Sequence, residues 1–312
     1  MPTPLTPLLL PLGLALFSGC DTPKTATPPE FDAARAWKHL ETQVAFGPRP
    51  AGSQALEKTR VFLMDTLRAS GLKPVREEFS SPTPKGKLTF ANVYADLPAQ
   101  NPAAEWIILG SHFDTKHAEE RFPEPFLGAN DAGSSTAVLL ELAHALARQG
   151  ARELNYRFLF LDGEEAVLWD WAGDDNTYGS RHHAAELKKS GMAARVRAFI
   201  LLDMVGDKDL QLMRDSYSDR RLLDMFFASG RELGYKRHVD GRAQEILDDH
   251  LSFMAVGIPS VDLIDLDYGP FNSFWHTPKD TLENCSQASL EVVGRIVLTT
   301  LPKVEKEFRR SR

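Results

Sequence analysis

Carboxylate and imidazole side chains recur in several separate segments of the 312-residue sequence. Asp131, Glu165 and His276 lie far apart in the chain, and together they offer two carboxylates and one imidazole. A catalytic zinc ion is typically held by about three protein ligands of these types, with one position left open. These three residues can therefore supply one zinc site. The segments that carry the chemistry are SHFDTK (111–116), GANDAG (128–133), DGEEA (162–166), LDMVG (202–206) and FWHTP (274–278).

Each of these segments is weak evidence when it is taken alone. An aspartate after an asparagine-containing turn is usually a cap, an acidic pair is usually a solvated surface, and a histidine beside a tryptophan is usually a surface residue. Several of these acids, however, directly follow apolar segments, where an unpaired carboxylate is costly to remove from water. A divalent cation removes that cost, so the combination favours a metal site.

The elements that must position these groups alternate along the chain. Residues 106–110, 156–161 and 199–202 are short and continuously apolar, as buried central strands are. Residues 134–148 and 180–189 between them have helical spacing. Strand–helix alternation predicts parallel crossovers. The predicted fold class is therefore α/β, a three-layer sandwich with a central, twisted, mostly parallel mixed sheet and helices on both faces.

Polar residues follow each of the three predicted central strands. His112 and Asp114 come after the first strand, Glu164 and Glu165 after the second, and Asp203 after the third. In open α/β sheets, ligands bind beyond the carboxyl ends of the strands. We therefore expect these side chains to meet at one edge of the sheet.

The segment before the central strands predicts two helices and a hairpin. Residues 33–44 have helical spacing, and Ser53 is typical of the N-cap of a second helix. Residues 75–79 and 88–95 are predicted to be strands. Further along the chain, we expect His182 and His183 to form a pair on the surface of a helix.

Composition limits the possible classes of function. Lys and Arg number 36 against 43 Asp and Glu, which gives a net charge of −7, and 43% of the residues are hydrophobic. This balance is ordinary for a folded domain and argues against disorder. A mild acidic excess without a basic stripe gives no reason to expect a nucleic-acid partner. Two cysteines cannot form a disulfide scaffold.

The amino terminus is predicted to direct export. Residues 5–17 are apolar but contain two prolines and are shorter than the roughly 20 residues that span a bilayer. Small residues precede Cys20, and a Pro/Thr-rich segment follows it. This pattern resembles a bacterial lipoprotein signal. It implies a signal peptide over residues 1–19, lipidation of Cys20 and a polar tether over residues 20–30. The alternative is an ordinary secretory signal with an incidental cysteine.

Under the lipoprotein interpretation, the protein is exported to the bacterial cell envelope, either periplasmic or anchored to a membrane. Its membrane contact is then expected only through the lipid on Cys20. Cys285 would have no partner within its own chain, and we expect it to be a reduced or buried thiol.

The chemical segments resemble the zinc-dependent exopeptidase superfamily, which includes aminopeptidases and glutaminyl-peptide cyclotransferases. The resemblance extends from about Phe46 to the final predicted helix, residues 287–308, and the catalytic domain is expected over residues 31–312. The cyclotransferase branch fits best. The supporting segments are DGEEA (162–166), YGSRH (178–182), DDHLSF (248–253), GIP (257–259) and FWHT (274–277).

The resemblance implies a role for each site residue. Asp131, Glu165 and His276 match the metal ligands, and Glu164 matches the general acid/base. Asp203 and Asp248 match carboxylates of the catalytic hydrogen-bond network. The family's aromatic pocket walls fall at Trp171, Phe271 and Trp275, although Trp169 competes with Trp171 for its position.

Two features depart from the animal cyclotransferases: Asp262, and the turn after Asp131, which reads AGSS (132–135) and is closer to the aminopeptidases. Asp262 stands where those enzymes carry a histidine, so this part of the acidic network is expected to be connected differently. His112 and Asp203 match the residues that hold a second zinc ion in dizinc aminopeptidases, where Asp131 bridges the two ions. Residue identity alone therefore leaves the number of ions open: one for a cyclotransferase and two for an aminopeptidase.

The resemblance implies that the N-terminal glutamine of peptides or proteins is converted to pyroglutamate with release of ammonia. The alternative is a metal-dependent aminopeptidase that removes N-terminal residues. A non-catalytic binding protein on the same fold would be expected to have lost a ligand or the base, and neither is missing here.

Overall fold

The computed structural model describes residues 1–2, 30–101, 103–118, 121–150 and 152–310. The predicted signal peptide, Cys20 and all of the predicted tether but residue 30 lie outside these residues. Within the described part of the chain, no helix combines the length and the apolar character needed to cross a membrane.

A six-stranded sheet forms the centre of the protein, with the strand order β1-β2-β4-β3-β5-β8. A separate two-stranded sheet pairs β6 with β7. The strands are β1 (Pro74–Thr83), β2 (Gly86–Leu97), β3 (Trp106–His112), β4 (Asn155–Leu161), β5 (Val196–Asp203), β6 (Arg214–Asp215), β7 (Ala243–Gln244) and β8 (Ser260–Ile264).

The sheet is mixed, with its parallel part at the site. β1 and β2 form the predicted antiparallel hairpin, and β2 also pairs antiparallel with β4. β4, β3, β5 and β8 are mutually parallel. His112 at the end of β3 pairs with Leu161 at the end of β4, and Asp203 ends β5. The carboxyl ends of the three predicted central strands therefore meet at one edge, as expected.

Seven α-helices flank the sheet in the part of the chain described. Three begin with side-chain caps: Ser53, as predicted, accepts the Leu56 N–H, Asp32 accepts the Arg35 N–H, and Asp219 accepts the Leu222 N–H. The helices are α1 (Ala33–Ala45), α2 (Gln54–Ala69), α3 (Ser135–Ala147), α4 (Tyr178–Lys189), α5 (Arg220–Glu232), α6 (His250–Met254) and α7 (Gln287–Arg310).

Alternate residues of the central strands face two separate apolar layers. Ile107 and Ile200 belong to the larger core, which includes residues of α1, α2, α3, α5 and α7. Ile108 and Leu201 belong to the smaller core on the other face, beneath α4 and α6. Because side chains of a strand point alternately to opposite faces, burial on both faces requires continuously apolar strands. The predicted three-layer α/β sandwich is confirmed.

The prediction that His182 and His183 form a surface pair on α4 is wrong for His183. His183 is buried, with its Nδ1 2.8 Å from Glu77 Oε2 and its Nε2 3.2 Å from Arg157 Nη1. Only His182 is partly exposed, and its ring stacks on Phe79. The reason is tertiary: α4 packs on the sheet, and charged partners from β1 and β4 satisfy the buried imidazole.

Candidate active site

The predicted zinc ligands come from three segments and converge at the edge of the sheet. Asp131 lies in a short turn (Ala129–Ser134), Glu165 lies just beyond β4, and His276 lies in the loop before α7. His276 Nε2 is 3.3 Å from Asp131 Oδ2 and 3.1 Å from Glu165 Oε1. Asp131 and Glu165 are buried, and His276 is mostly buried. Asp131 and Glu165 thus meet His276, which lies more than 100 residues further along the chain, with their ligand atoms at one location.

This arrangement fits a zinc ion. Zinc–ligand bonds of about 2.0–2.2 Å in a tetrahedral site place ligand atoms about 3.3–3.5 Å apart, close to the separations observed here. Both carboxylate oxygens of Glu165 are buried and accept no hydrogen bond of good geometry, although Lys116 Nζ and His276 Nε2 lie within 3.2 Å of them. A buried carboxylate in this state is stable only where positive charge compensates it. Burial opposes a charged His276 ring, but the Glu165 and Asp131 carboxylates outweigh it and raise the pKa of His276 to about 9. The electrostatic field at this point favours a positive charge.

The second-metal candidates also lie together. His112 Nε2 is 3.1 Å from Asp203 Oδ1 and 3.3 Å from Asp131 Oδ1. These three residues form a second group whose ligand atoms could hold an ion, and the two groups share Asp131. The separation of 3.1 Å between His112 and Asp203 equals that between His276 and Glu165, so the two groups have similar geometry.

Glu164 lies directly beside this metal site. Its side chain is buried, and its Oε2 is 3.6 Å from His112 Nδ1. Burial and the charge of Glu165 raise the pKa of Glu164 well above its usual range, against the opposing effect of His112. Asp114 accepts the backbone N–H groups of Glu164 and Glu165, each at 3.2 Å, and so fixes the turn after β4. The geometry suits a carboxyl group that takes up and releases a proton.

A chain of buried carboxyl groups continues from the metal site into β8. Burial, together with the neighbouring acids, raises the pKa of Asp248 and of Asp262 well above the usual range for aspartate. His250 lies behind them, with its Nε2 3.1 Å from Asp215 Oδ2 and its Nδ1 4.0 Å from Asp262 Oδ2. A buried histidine on α6 thus lies beside Asp262, at a distance too long for a hydrogen bond.

A cavity of about 510 Å³ opens over these groups. The residues with polar chemistry on its lining include Asp131, Glu165, His276, Glu164, Asp203 and Asp248. A cavity of this size is common for a site that binds a small molecule or the end of a peptide. The cavity combines apolar walls with a few convergent polar groups, as such sites do.

Comparisons with known proteins agree with this geometry. The sequence profile of Peptidase family M28 matches residues 92–301, more than half of the chain. A glutaminyl-peptide cyclotransferase-like protein from Mus musculus is 32% identical over 279 residues, which cover 81% of this chain and 71% of the mouse protein. The crystal structure of a glutaminyl cyclase from an Acidobacteriales bacterium superimposes with a TM-score of 0.85 at 32% identity, covering 93% of this chain and 100% of that one.

The chain belongs to peptidase family M28, in its glutaminyl-peptide cyclotransferase branch. A glutaminyl-peptide cyclotransferase from Drosophila melanogaster supports the same assignment, with 30% identity over 80% of this chain and 75% of the fly protein.

Tryptophan side chains form the aromatic walls of the M28 cavity. Trp171 and Trp275 line it, as expected, and so does Trp169. The Trp275 ring stacks on His276 with centroids 4.1 Å apart, and the Trp169 ring lies edge-on to His276 at 6.0 Å. Trp169 and Trp171 therefore both line the cavity. They were alternatives for one wall position in the sequence, and in the structure they occupy two.

Phe271, expected as a third wall, occupies a different place. Its side chain is fully exposed, and it is not among the described residues that line the cavity. Its backbone has a φ of 57°, in a loop where Gly269 and Asn272 also have positive φ. In this left-handed conformation the Phe271 side chain points into solvent. The expected wall at Phe271 is therefore wrong, and the aromatic residues among the described lining are Trp169, Trp171, Trp275 and Phe122.

Two residues near the ligands were not singled out from the sequence. Lys116 is fully buried, with its Nζ 3.2 Å from Glu165 Oε2. The sequence did offer one sign of its role, because Lys116 lies in the same short segment as His112 and Asp114. Asp280, four residues after His276, accepts backbone N–H groups of the Asp131 turn. No spacing rule indicates such a contact, because it joins residues about 150 positions apart.

Replacement of His276 by alanine is expected to abolish zinc binding, because it leaves only the carboxylates of Asp131 and Glu165 at the site. Metal analysis of the purified protein should show bound zinc falling to less than about a tenth of the wild-type amount. His183→Ala is the matched control, since it removes a buried histidine far from the ligands. A folded His276→Ala variant with full zinc content would contradict the assignment.

Proposed function

We propose that the protein is a zinc-dependent glutaminyl-peptide cyclotransferase. It converts the N-terminal glutamine of peptides or proteins to pyroglutamate and releases ammonia, so it is an enzyme of the aminoacyltransferase class. The observation that carries this proposal is the Glu164 carboxyl group beside a convergent zinc-ligand set, in a chain that spans the whole of a solved glutaminyl cyclase at 32% identity.

We assign one zinc ion to Asp131, Glu165 and His276. When bound there, zinc supplies Lewis-acid polarisation of the glutamine γ-carbonyl and stabilises the negative charge that develops on its oxygen. We propose one ion because this chain is similar to glutaminyl-peptide cyclotransferases, the branch of the family for which one ion is expected.

Glu164 is the proton shuttle. The substrate's α-amine attacks the γ-carbonyl carbon, so a C–N bond forms while the bond to the side-chain nitrogen breaks. Glu164 accepts the proton that the amine loses and returns it to the departing nitrogen, which leaves as ammonia. A free α-amine has a pKa of about 8, and a carboxyl group whose pKa burial has raised exchanges protons with it more readily than an exposed glutamate.

Asp203 and Asp248 orient the leaving amide. Both line the cavity, and burial raises the pKa of each. A protonated carboxyl group can donate one hydrogen bond and accept another, which matches the donor and acceptor atoms of an amide. Asp262, behind Asp248, holds a further proton in the same network.

The tryptophans exclude water and hold the substrate. Trp171 and Trp275 form apolar walls around the polar floor, with Trp169 beside His276. An intramolecular attack needs the amine and the carbonyl to be held close to their reacting geometry, and a narrow apolar slot provides this. No water molecule takes part in the bond changes, which separates cyclisation from peptide hydrolysis.

The second candidate function is a metal-dependent aminopeptidase. The group formed by His112, Asp131 and Asp203 favours it, because these residues could hold a second ion beside the first. In that reaction, Glu164 would act as general base toward water at the first peptide carbonyl. We rank this candidate second because the relatives and solved structures that this chain resembles include glutaminyl cyclases at about the same identity over most of its length.

Incubation with a glutamine-initiated peptide is expected to remove one ammonia from the peptide without removing a residue. Mass spectrometry of the product measures this directly, and the same peptide with an N-terminal alanine is the substrate control. Release of free glutamine or alanine would instead identify an aminopeptidase.

Zinc analysis of the active protein should give a ratio nearer one ion per chain than two.

Glu164→Gln is expected to lower kcat by about 10²–10⁴-fold, because the amide cannot carry the proton between the two nitrogens. Zinc content should stay at the wild-type level, since Glu164 is not among the three assigned ligands. Glu141→Gln is the matched control: Glu141 is also buried, but it pairs with Arg35 far from the cavity. Undiminished turnover of Glu164→Gln would refute the shuttle.

We also propose that the protein is an envelope lipoprotein anchored through Cys20. The small residues before Cys20 and the Pro/Thr-rich segment after it support this proposal. In a bacterial host, Cys20→Ser should abolish labelling by a radioactive fatty acid and release the protein from membranes. Cys285→Ser is the control, since Cys285 is buried. Export of wild-type protein without label would identify an ordinary secretory signal.

A further inference from the structure

Asp280 connects the segments that carry two of the three assigned zinc ligands. It lies four residues after His276 and is fully buried. Its Oδ1 accepts the Asn130 N–H at 2.7 Å, and its Oδ2 accepts the Asp131 N–H at 3.1 Å. The Tyr268 hydroxyl donates a third hydrogen bond to Oδ1 at 3.0 Å. One carboxylate thus joins the His276 loop to the Asp131 turn.

The Asp131 turn depends on this contact for its shape. Asp131 has a φ of −107° and a ψ of 91° within a helical turn, so its backbone departs from helical geometry. The N–H groups of Asn130 and Asp131 are buried, and a buried N–H without an acceptor is costly. Asp280 supplies both acceptors. The ligand turn can therefore take its non-helical shape without leaving these donors unsatisfied.

Arg49 holds the two residues that directly precede the same turn. Its guanidinium is buried, and it donates to the carbonyl oxygens of Leu127 and Gly128, each at 2.8 Å. Its charge interacts favourably with Asp280 and Asp131. The start of the turn is thus held by a cation at the preceding carbonyl groups and by a carboxylate at the N–H groups of Asn130 and Asp131.

We propose that Asp280 is a positioning residue for the zinc site. By fixing the Asp131 turn against the His276 loop, it sets the separation of these two ligands and hence the affinity for zinc. This inference rests on the zinc site of the proposed function, but it does not depend on which reaction the site performs.

The chain contains a matched control for this role. Asp175 is also buried, and it accepts two consecutive backbone N–H groups, from Val167 at 3.0 Å and Leu168 at 2.9 Å. The Tyr178 hydroxyl donates its third hydrogen bond at 2.7 Å. The donor set is the same as that of Asp280, but this carboxylate holds Val167 and Leu168, which carry no assigned zinc ligand.

Asp280→Asn keeps the volume of the side chain but directs an NH₂ group at one of the two N–H donors. We expect zinc affinity to fall by about 10–100-fold, as for other residues that orient metal ligands. Competition against a chromophoric chelator measures this without any assay of turnover. In the cobalt-substituted protein at saturating metal, the visible absorption bands should shift, because the ligand geometry changes.

Asp175→Asn should lower the thermal unfolding temperature about as much as Asp280→Asn does, but its zinc affinity should stay within about 3-fold of wild type. A purely structural role for Asp280 would make the two variants alike in zinc affinity, and this result would overturn the proposal. Wild-type protein that binds zinc but does not cyclise glutaminyl peptides would contradict the proposed function and leave the role of Asp280 intact.

A second matched pair covers the case in which Asp280→Asn does not fold. Tyr268→Phe removes only the third hydrogen bond to Asp280, and zinc affinity should fall by about 2–10-fold. Tyr178→Phe removes the equivalent bond to Asp175 and should leave zinc affinity unchanged. Equal zinc affinities for the two phenylalanine variants would overturn the proposal.

Discussion

Mutual repulsion among buried carboxylates is the constraint on which the rest of the structure depends. Asp131, Glu164, Glu165, Asp203 and Asp248 crowd one edge of the sheet, where little water screens them. Such a cluster is stable only if cations or protons balance it. A metal ion at the assigned ligands, the imidazole of His112, the ammonium of Lys116 and raised carboxyl pKa values all serve this end. The same balance that permits folding therefore supplies the Lewis acid and the proton carriers of the reaction.

The ligands sit on turns instead of strands, and buried carboxylates make those turns rigid. Asp114 accepts the N–H groups of Glu164 and Glu165, and Asp280 accepts those of Asn130 and Asp131. In each case, one side chain satisfies two consecutive backbone donors that no helix or strand pairs. Acidic residues at this edge therefore divide into two kinds: those that face the cavity and act on the substrate, and those that face the backbone and hold the first kind in place.

Much of the fold and the ligand set could be predicted because both leave local signals. A continuously apolar strand that ends in a polar residue indicates a buried strand whose carboxyl end faces a ligand, and β3, β4 and β5 all follow this rule. What could not be predicted depends on tertiary partners. The burial of His183 depends on Glu77, and the contact of Asp280 depends on a turn about 150 residues earlier. Phe271 faces solvent because of a positive φ that no local pattern of the sequence indicates.

Cyclisation and peptide hydrolysis require nearly the same residues. What differs is whether a given residue binds a metal ion or holds a proton. His112, Asp131 and Asp203 are the types that a second zinc ion needs, and their ligand atoms lie close together. A hydrogen bond between His112 and Asp203 occupies the ring nitrogen that faces the acid, and Asp203 also lines the cavity. An Asp203 that holds a proton beside the leaving amide cannot at the same time be an ionised ligand of a second metal. A proton and a second ion therefore compete for one carboxylate: burial raises the pKa of Asp203 and so opposes its ionised form, whereas a bound cation would favour that form.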